Sequence, residues 1–154
     1  MNIEEKALFL STTCFEYLIQ LNESKQPSWG KMNAQQMLEH VNDFYEVSTG
    51  QLQFALTTPE EHLPKYKEFL YSDKPFRENT KAPETVLGDE PLPMRMPSLE
   101  AAKAQLQNTV AGFFESNPHH STSHPVFGPL SFDEWILLHY KHVTHHWNQF
   151  ELLR

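Results

Sequence analysis

The stretch His139-Tyr140-Lys141-His142-Val143-Thr144-His145-His146-Trp147-Asn148-Gln149-Phe150 holds four of the chain's nine histidines within eight positions. In a helix, at about 100° per residue, His139, His142 and His146 fall within about 60° of one another, while His145 points roughly 100° away from His146. Trp135, Ile136, Val143 and Phe150 share that face, with Trp147 at its edge. Lys141, Thr144 and Asn148 fall opposite, on the expected solvent side. The histidines are therefore expected to point into the core, where an unpaired polar group costs about 1–3 kcal/mol and each ring nitrogen needs a partner. His142 and His146 stand at i and i+4, the spacing that lets two imidazoles of one helix meet a single ion. Two ligands are too few, and hydrogen bonds to neighbours would also satisfy the rings. The spacing alone leaves metal binding and ordinary ring pairing open.

Upstream, Ser131-Phe132-Asp133-Glu134 is a capping box that starts this helix. Before it, His119-His120-Ser121-Thr122-Ser123-His124-Pro125 has turn composition, so those three histidines read as solvent-facing or loop-stabilising. Ser98 can cap another helix with Leu99, Ala102, Leu106, Val110 and Phe113 or Phe114 as its core stripe, ended by Asn117-Pro118. Between about 57 and 97, prolines at 59, 64, 75, 83, 91, 93 and 97 break any sustained period. A short helix from Pro59 to about Leu70 is expected there, and otherwise irregular chain held by Phe76, Val86, Leu87, Met94 and Met96. Asn33 can cap a helix whose inward face, Met37, Leu38, Val41, Phe44, Tyr45 and Leu52, runs to about Leu56. His40 lies on that face, where a lone core histidine is more often a satisfied structural group than a ligand. A first helix spans about Ile3 to Leu21 and exits through turn residues at Pro27. Four substantial helices with one long crossover between the second and third predict an all-α four-helix bundle, one domain spanning 1–154.

Composition bounds the function. A formal charge of -8 opposes the counterion release that drives nucleic-acid binding, so DNA and RNA are not expected partners. The apolar runs are too short for a membrane span, and an acidic start without a long apolar run shows no secretory signal, so cytoplasm is the expected location. The single cysteine, Cys14, excludes an internal disulfide and a cysteine-based zinc site; beside Phe15, Leu18 and Ile19 it reads as a core side chain rather than a nucleophile.

Two segments together carry a resemblance. Trp29-Gly-Lys-Met-Asn-Ala-Gln-Gln-Met-Leu-Glu-His40, paired with Tyr140-Lys-His142-Val-Thr-His-His146-Trp-Asn-Gln149-Phe, resembles the DinB/YfiT-like superfamily of four-helix metalloenzymes over nearly the whole chain. There a tryptophan-containing segment leads into a second helix bearing one metal histidine, and the last helix carries a His-x-x-x-His pair, often followed by Gly-Gln. The resemblance implies His40, His142 and His146 as ligands of one divalent ion. Asn148 stands where that pattern has glycine, and Trp147 where arginine is common, so an uncharacterised branch is implied and no particular substrate. Members include metal-dependent hydrolases and thiol-dependent S-transferases or isomerases.

Three neutral imidazoles leave the ion an open position, where a bound water reaches a pKa of about 7 or a low-molecular-weight thiol binds as thiolate. Imidazole suits zinc, with nickel next. Asp43 and Glu39 near His40, and Gln149 near His146, are candidates to orient imidazoles or a bound water. His139 is a candidate pocket acid or base, against a structural hydrogen bond. The expected partner is a small-molecule substrate, and a homodimer follows from the broad apolar face of the first helix. The competing class is a non-catalytic helical bundle, binding small molecules or serving in stress responses, with a structural metal or none.

Overall fold

The computed structural model describes residues 1–78, 90–116 and 121–153. Helix α1, residues 3–20, runs unbroken through an α segment at Ile3–Leu8, a π turn at Phe9–Thr13, a second α segment at Cys14–Tyr17 and a 3-10 turn at Leu18–Gln20. Asn2 caps it, accepting the Glu5 N–H at 2.8 Å. Leu10, Cys14, Leu18 and Leu21 recur at near-turn spacing and are buried, while Leu8 and Ile19 remain 60% and 84% exposed.

Helix α2, Ala34–Ser48, begins in a capping box of Asn33 and Gln36. It stops well before Leu56, where the apolar spacing had it continue. The Ser48 and Thr49 hydroxyls donate to the Tyr45 carbonyl at 2.7 and 3.3 Å, and Gly50 then takes a φ of +83°, accessible to glycine at little cost. A 3-10 turn, Glu60–His62, opens α3, Leu63–Tyr71. Helix α4, Leu99–Glu115, is capped by the Ser98 hydroxyl on the Ala101 N–H. Helix α5, Phe132–Gln149, starts in the expected capping box of Ser131 and Glu134.

The all-α expectation requires one correction. Strands β1, Thr122–His124, and β2, Gly128–Leu130, form a two-stranded antiparallel sheet pairing Thr122 with Leu130 and His124 with Gly128. Three residues per strand are too few for a period-two pattern to register, so the segment read as a connector. The fold is thus mainly helical with a small sheet. The expectations for Val86, Leu87, His119 and His120 fall outside the described residues. Met94, expected to hold the long connection, is 53% exposed, whereas Phe76 and Met96 pack against the core.

Helix α2 lies along α4, α1 lies along α5, and α2 and α5 also meet, with α3 against α5 and the sheet against α2 and α5. The shared core contains Met37, Leu38, Tyr45, Leu106, Phe113, Trp135, Trp147 and Phe150. Lys141 departs from its expected solvent position and is only 7% exposed. Its ammonium lies 4.6 Å from the centroid of the Phe69 ring and donates to the carbonyls of Ser72, at 2.7 Å, and Lys74, at the end of α3. Cys14 is buried, its thiol pushed up to about 12 by burial, and its carbonyl accepts the Trp147 indole N–H at 2.9 Å. Among the described residues no helix is long and apolar enough to cross a membrane.

Candidate metal centre

The contact of α2 with α5 sets the site. His40 projects from the middle of α2, and His142 and His146 project from successive turns of α5. His142 Nε2 lies 2.9 Å from His40 Nε2 and 3.1 Å from His146 Nε2. The three ring centroids are 4.7–4.8 Å apart with interplanar angles of 72–79°, a propeller of imidazoles. Their candidate ligand nitrogens all lie within 4.8 Å of one another. At metal–nitrogen bonds of 2.0–2.1 Å, ligands at a tetrahedral angle stand about 3.3 Å apart and ligands at 90° about 2.9 Å apart. The two short separations, 2.9 and 3.1 Å, fall within that range, and the third pair lies within 4.8 Å, so the donor set is compatible with one ion.

Electrostatics favour the ligand form. Burial pushes His40 down to about 4, helped by His145, and holds His142 and His146 well below the usual histidine range, with the neighbouring rings adding to the effect. All three are neutral at pH 7, so an ion would displace no proton from them.

Gln149 stands one turn beyond His146, and its Oε1 is 2.7 Å from His146 Nδ1. The other side of the amide donates from Nε2 to the Trp29 carbonyl at 2.9 Å. A backbone carbonyl only accepts, so the amide nitrogen must face Trp29 and the amide oxygen must face His146. His146 Nδ1 therefore carries the proton and its Nε2 a lone pair aimed at the other two histidines.

Among the described residues Asp43 and Glu39 make no hydrogen bond to the imidazoles; both are tied to Arg95. Asp43 takes a bidentate pair from the Arg95 guanidinium at 2.9 and 3.0 Å, and Glu39 accepts from Arg95 Nε at 3.2 Å and from the backbone N–H of Arg95 and Met96. Burial alone would raise the Glu39 pKa, but hydrogen bonds from Gln35 and those two N–H groups, with the Arg95 charge, outweigh it and hold the carboxyl below its ordinary range. With the Lys31–Glu90 ion pair and the Gln36 amide on the Leu92 carbonyl, these contacts lash residues 90–96 across the start of α2 beside His40. The cleft left there, lined by Met32, Gln36, His40, Asp43, Leu92 and Arg95 among others, has about 30 Å³ of free volume, enough for one or two waters.

His139 stands outside the cluster. It is 1% exposed, stacked at 3.8 Å on Tyr45, and its Nε2 is 2.9 Å from the Ser48 hydroxyl. That hydroxyl already donates to the Tyr45 carbonyl, so it accepts from His139, a structural hydrogen bond. His145 sits between the Trp29 and Phe76 rings, at 5.4 and 5.8 Å. His124 is buried and stabilises its loop, its Nδ1 accepting the Val126 and Phe127 N–H groups. Phe44, edge-on to His40 and His142, and Phe76, edge-on to His142, wall the cluster with apolar rings.

Fold and site together define a mainly helical protein that brings imidazoles from two helices to one point. A family model described as a protein of unknown function (DUF1569) matches residues 66–152, more than half of the chain, and the chain belongs to that family. The matched span includes His142, His146 and Gln149 and begins after His40. No curated protein and no solved structure matches the chain. Two contributors were given no role from sequence: Arg95, which reads as one charge in an aperiodic connection, and the backbone at Trp29 and Gly30, which entered only as the start of the segment that carries the resemblance.

Proposed function

We propose that His40, His142 and His146 hold one divalent ion, zinc by preference and nickel next, and that the protein is a metal-dependent enzyme acting on a small molecule. The proposal includes a four-helix arrangement of the DinB/YfiT-like type, with α1, α2, α4 and α5 as its members. The observation that carries it is proton bookkeeping at the cluster. His146 Nε2 bears a lone pair, and a neutral His142 has at most one proton at Nε2, which cannot point at both His40 and His146. Hydrogen bonding thus leaves one close nitrogen pair unsupported, whereas a central cation accepts the lone pairs of all three.

Such an ion supplies Lewis acidity, which makes a water or a low-molecular-weight thiol nucleophilic near neutral pH. The chain's own residues do the rest. Three neutral ligands leave the ion's charge undiminished, Gln149 fixes the His146 ring, and Phe44 and Phe76 keep bulk water off the cluster so that charges there interact strongly. The cleft beside His40, which Arg95 also lines, has room to bring a water to the cluster.

The test is metal analysis of protein purified without a histidine tag, followed by turnover assays with esters, amides and pairs of a thiol with an electrophile. The expected result is about one ion per chain, lost in His142→Ala, and turnover that depends on it. Turnover without thiol identifies a hydrolase, and turnover only with thiol an S-transferase. Failure to take up zinc or nickel at micromolar concentration overturns the metal reading. A bound ion without turnover across the screen favours a non-catalytic binder.

A further inference from the structure

We propose that Gly30 is a positioning residue for the three-histidine cluster: the missing side chain at this turn lets Gln149 lock His146 into the tautomer that presents its Nε2 lone pair. The metal consequence rests on the function proposed above, but the tautomer does not. The turn and the end of α5 are clasped by two hydrogen bonds. The Ser28 N–H donates to the Gln149 carbonyl at 2.7 Å, and Gln149 Nε2 donates to the Trp29 carbonyl at 2.9 Å. The accepting carbonyl belongs to the peptide that joins Trp29 to Gly30, and the Gly30 φ of +83° helps to set its direction. A Cβ at position 30 would lie 2.9 Å from Gln149 Nε2, closer than side chains pack. Any other residue therefore strains the backbone and shifts the Gln149 amide, the movable tip of its side chain, from its place between Trp29 and His146.

The second effect is specific to the site. If Gln149 swings away, no other hydrogen bond among the described residues holds the proton on His146 Nδ1, the tautomers mix, and the ligand lone pair is present only part of the time. Partners of this kind, which fix ring orientation and tautomer, change metal affinity by about 10–100-fold when lost.

The experiment compares Gly30→Ala with Gly50→Ala, because Gly50 has the same φ of +83° just beyond the end of α2 and imposes a matching backbone penalty. Imidazole nitrogen chemical shifts of His146 in metal-free protein report the tautomer, and zinc titration reports affinity. Wild type and Gly50→Ala are expected to show the proton on Nδ1. Gly30→Ala is expected to show mixed tautomers and about 10–100-fold weaker zinc binding. Should Gly30→Ala not fold, Gln149→Leu removes the same amide and is read the same way. A Gly30→Ala or Gln149→Leu protein with the wild-type tautomer overturns the proposal. If wild type itself binds no zinc, the metal reading fails, and the tautomer comparison still decides the role of Gly30.

Discussion

Acid should loosen this protein through His124, and the effect can be isolated. His124 ends β1, is 7% exposed, stacks on Phe44 with centroids 5.4 Å apart, and accepts two backbone N–H groups at its Nδ1, from Val126 at 2.9 Å and Phe127 at 3.2 Å. Burial pushes its pKa down to about 3. Protonating Nδ1 would face a new N–H toward two existing ones. Because the folded pKa lies below the unfolded value of about 6.5, the unfolded chain binds more protons at intermediate pH. The His124 contribution is complete above about pH 7 and is lost as pH falls toward 3, at about 1.4 kcal/mol per pH unit, or about 2 kcal/mol between pH 7.5 and 5. His124→Asn keeps an acceptor for the N–H two residues on, as asparagine does in turns, and cannot titrate. It loses ring packing, a deficit independent of pH, and the other buried histidines are common to both proteins, His139 alone among them being also pushed down by His124, after burial. Urea unfolding of metal-free protein should therefore find the variant less stable at pH 7.5, with the gap narrowing by about 2 kcal/mol at pH 5. Parallel stability curves, with a gap constant to within about 0.5 kcal/mol, would refute the reasoning.

His142→Ala should remain folded but lose metal affinity and activity, since a chain of this length buries about two-thirds of its unfolded surface without a metal staple; circular dichroism at room temperature checks it, and unfolding of both the variant and chelator-treated wild type would make the ion structural. Lys141→Met keeps a long unbranched side chain but removes the ammonium from the Ser72 and Lys74 carbonyls and from the face of Phe69, so urea unfolding should show a loss of about 1–3 kcal/mol. Arg95→Ala removes the bidentate partner of Asp43; with that side chain 50% exposed the loss should be only about 1–2 kcal/mol, but limited proteolysis within 90–97 should accelerate several-fold, and an unchanged cleavage rate would argue against the lashing role.

Helix starts were legible because each is a local chemical event. Asn33, Ser98 and Ser131 all cap as their sequence context predicts, two of them in full capping boxes. The end of α2 was misread because Leu52 continues the apolar spacing beyond Ser48-Thr49-Gly50, and hydroxyl-to-carbonyl bonds with a left-handed glycine stop the helix before it. Lys141 was misread for a different reason. Periodicity assigns charge to solvent, but a lysine on the flank of a helix can bury its stem if its ammonium finds carbonyls, and those come from a segment about 70 residues away.

The site divides along the same line between local and distant causes. His142 and His146 are visible because one helix holds both at ligand spacing, and Gln149 because it follows within a turn. His40 needed the resemblance as well as its inward position, since nothing within α2 distinguishes a ligand from a satisfied core imidazole. The Trp29 carbonyl and Gly30 were out of reach, because the contact crosses 120 positions of sequence and runs through backbone and an absent side chain. What Gly30 contributes is room, and in a sequence room reads as an ordinary turn. Yet that room lets the amide reach a carbonyl that can only accept, which turns the amide oxygen toward His146 and sends the imidazole lone pair to the one point where the other two rings already converge.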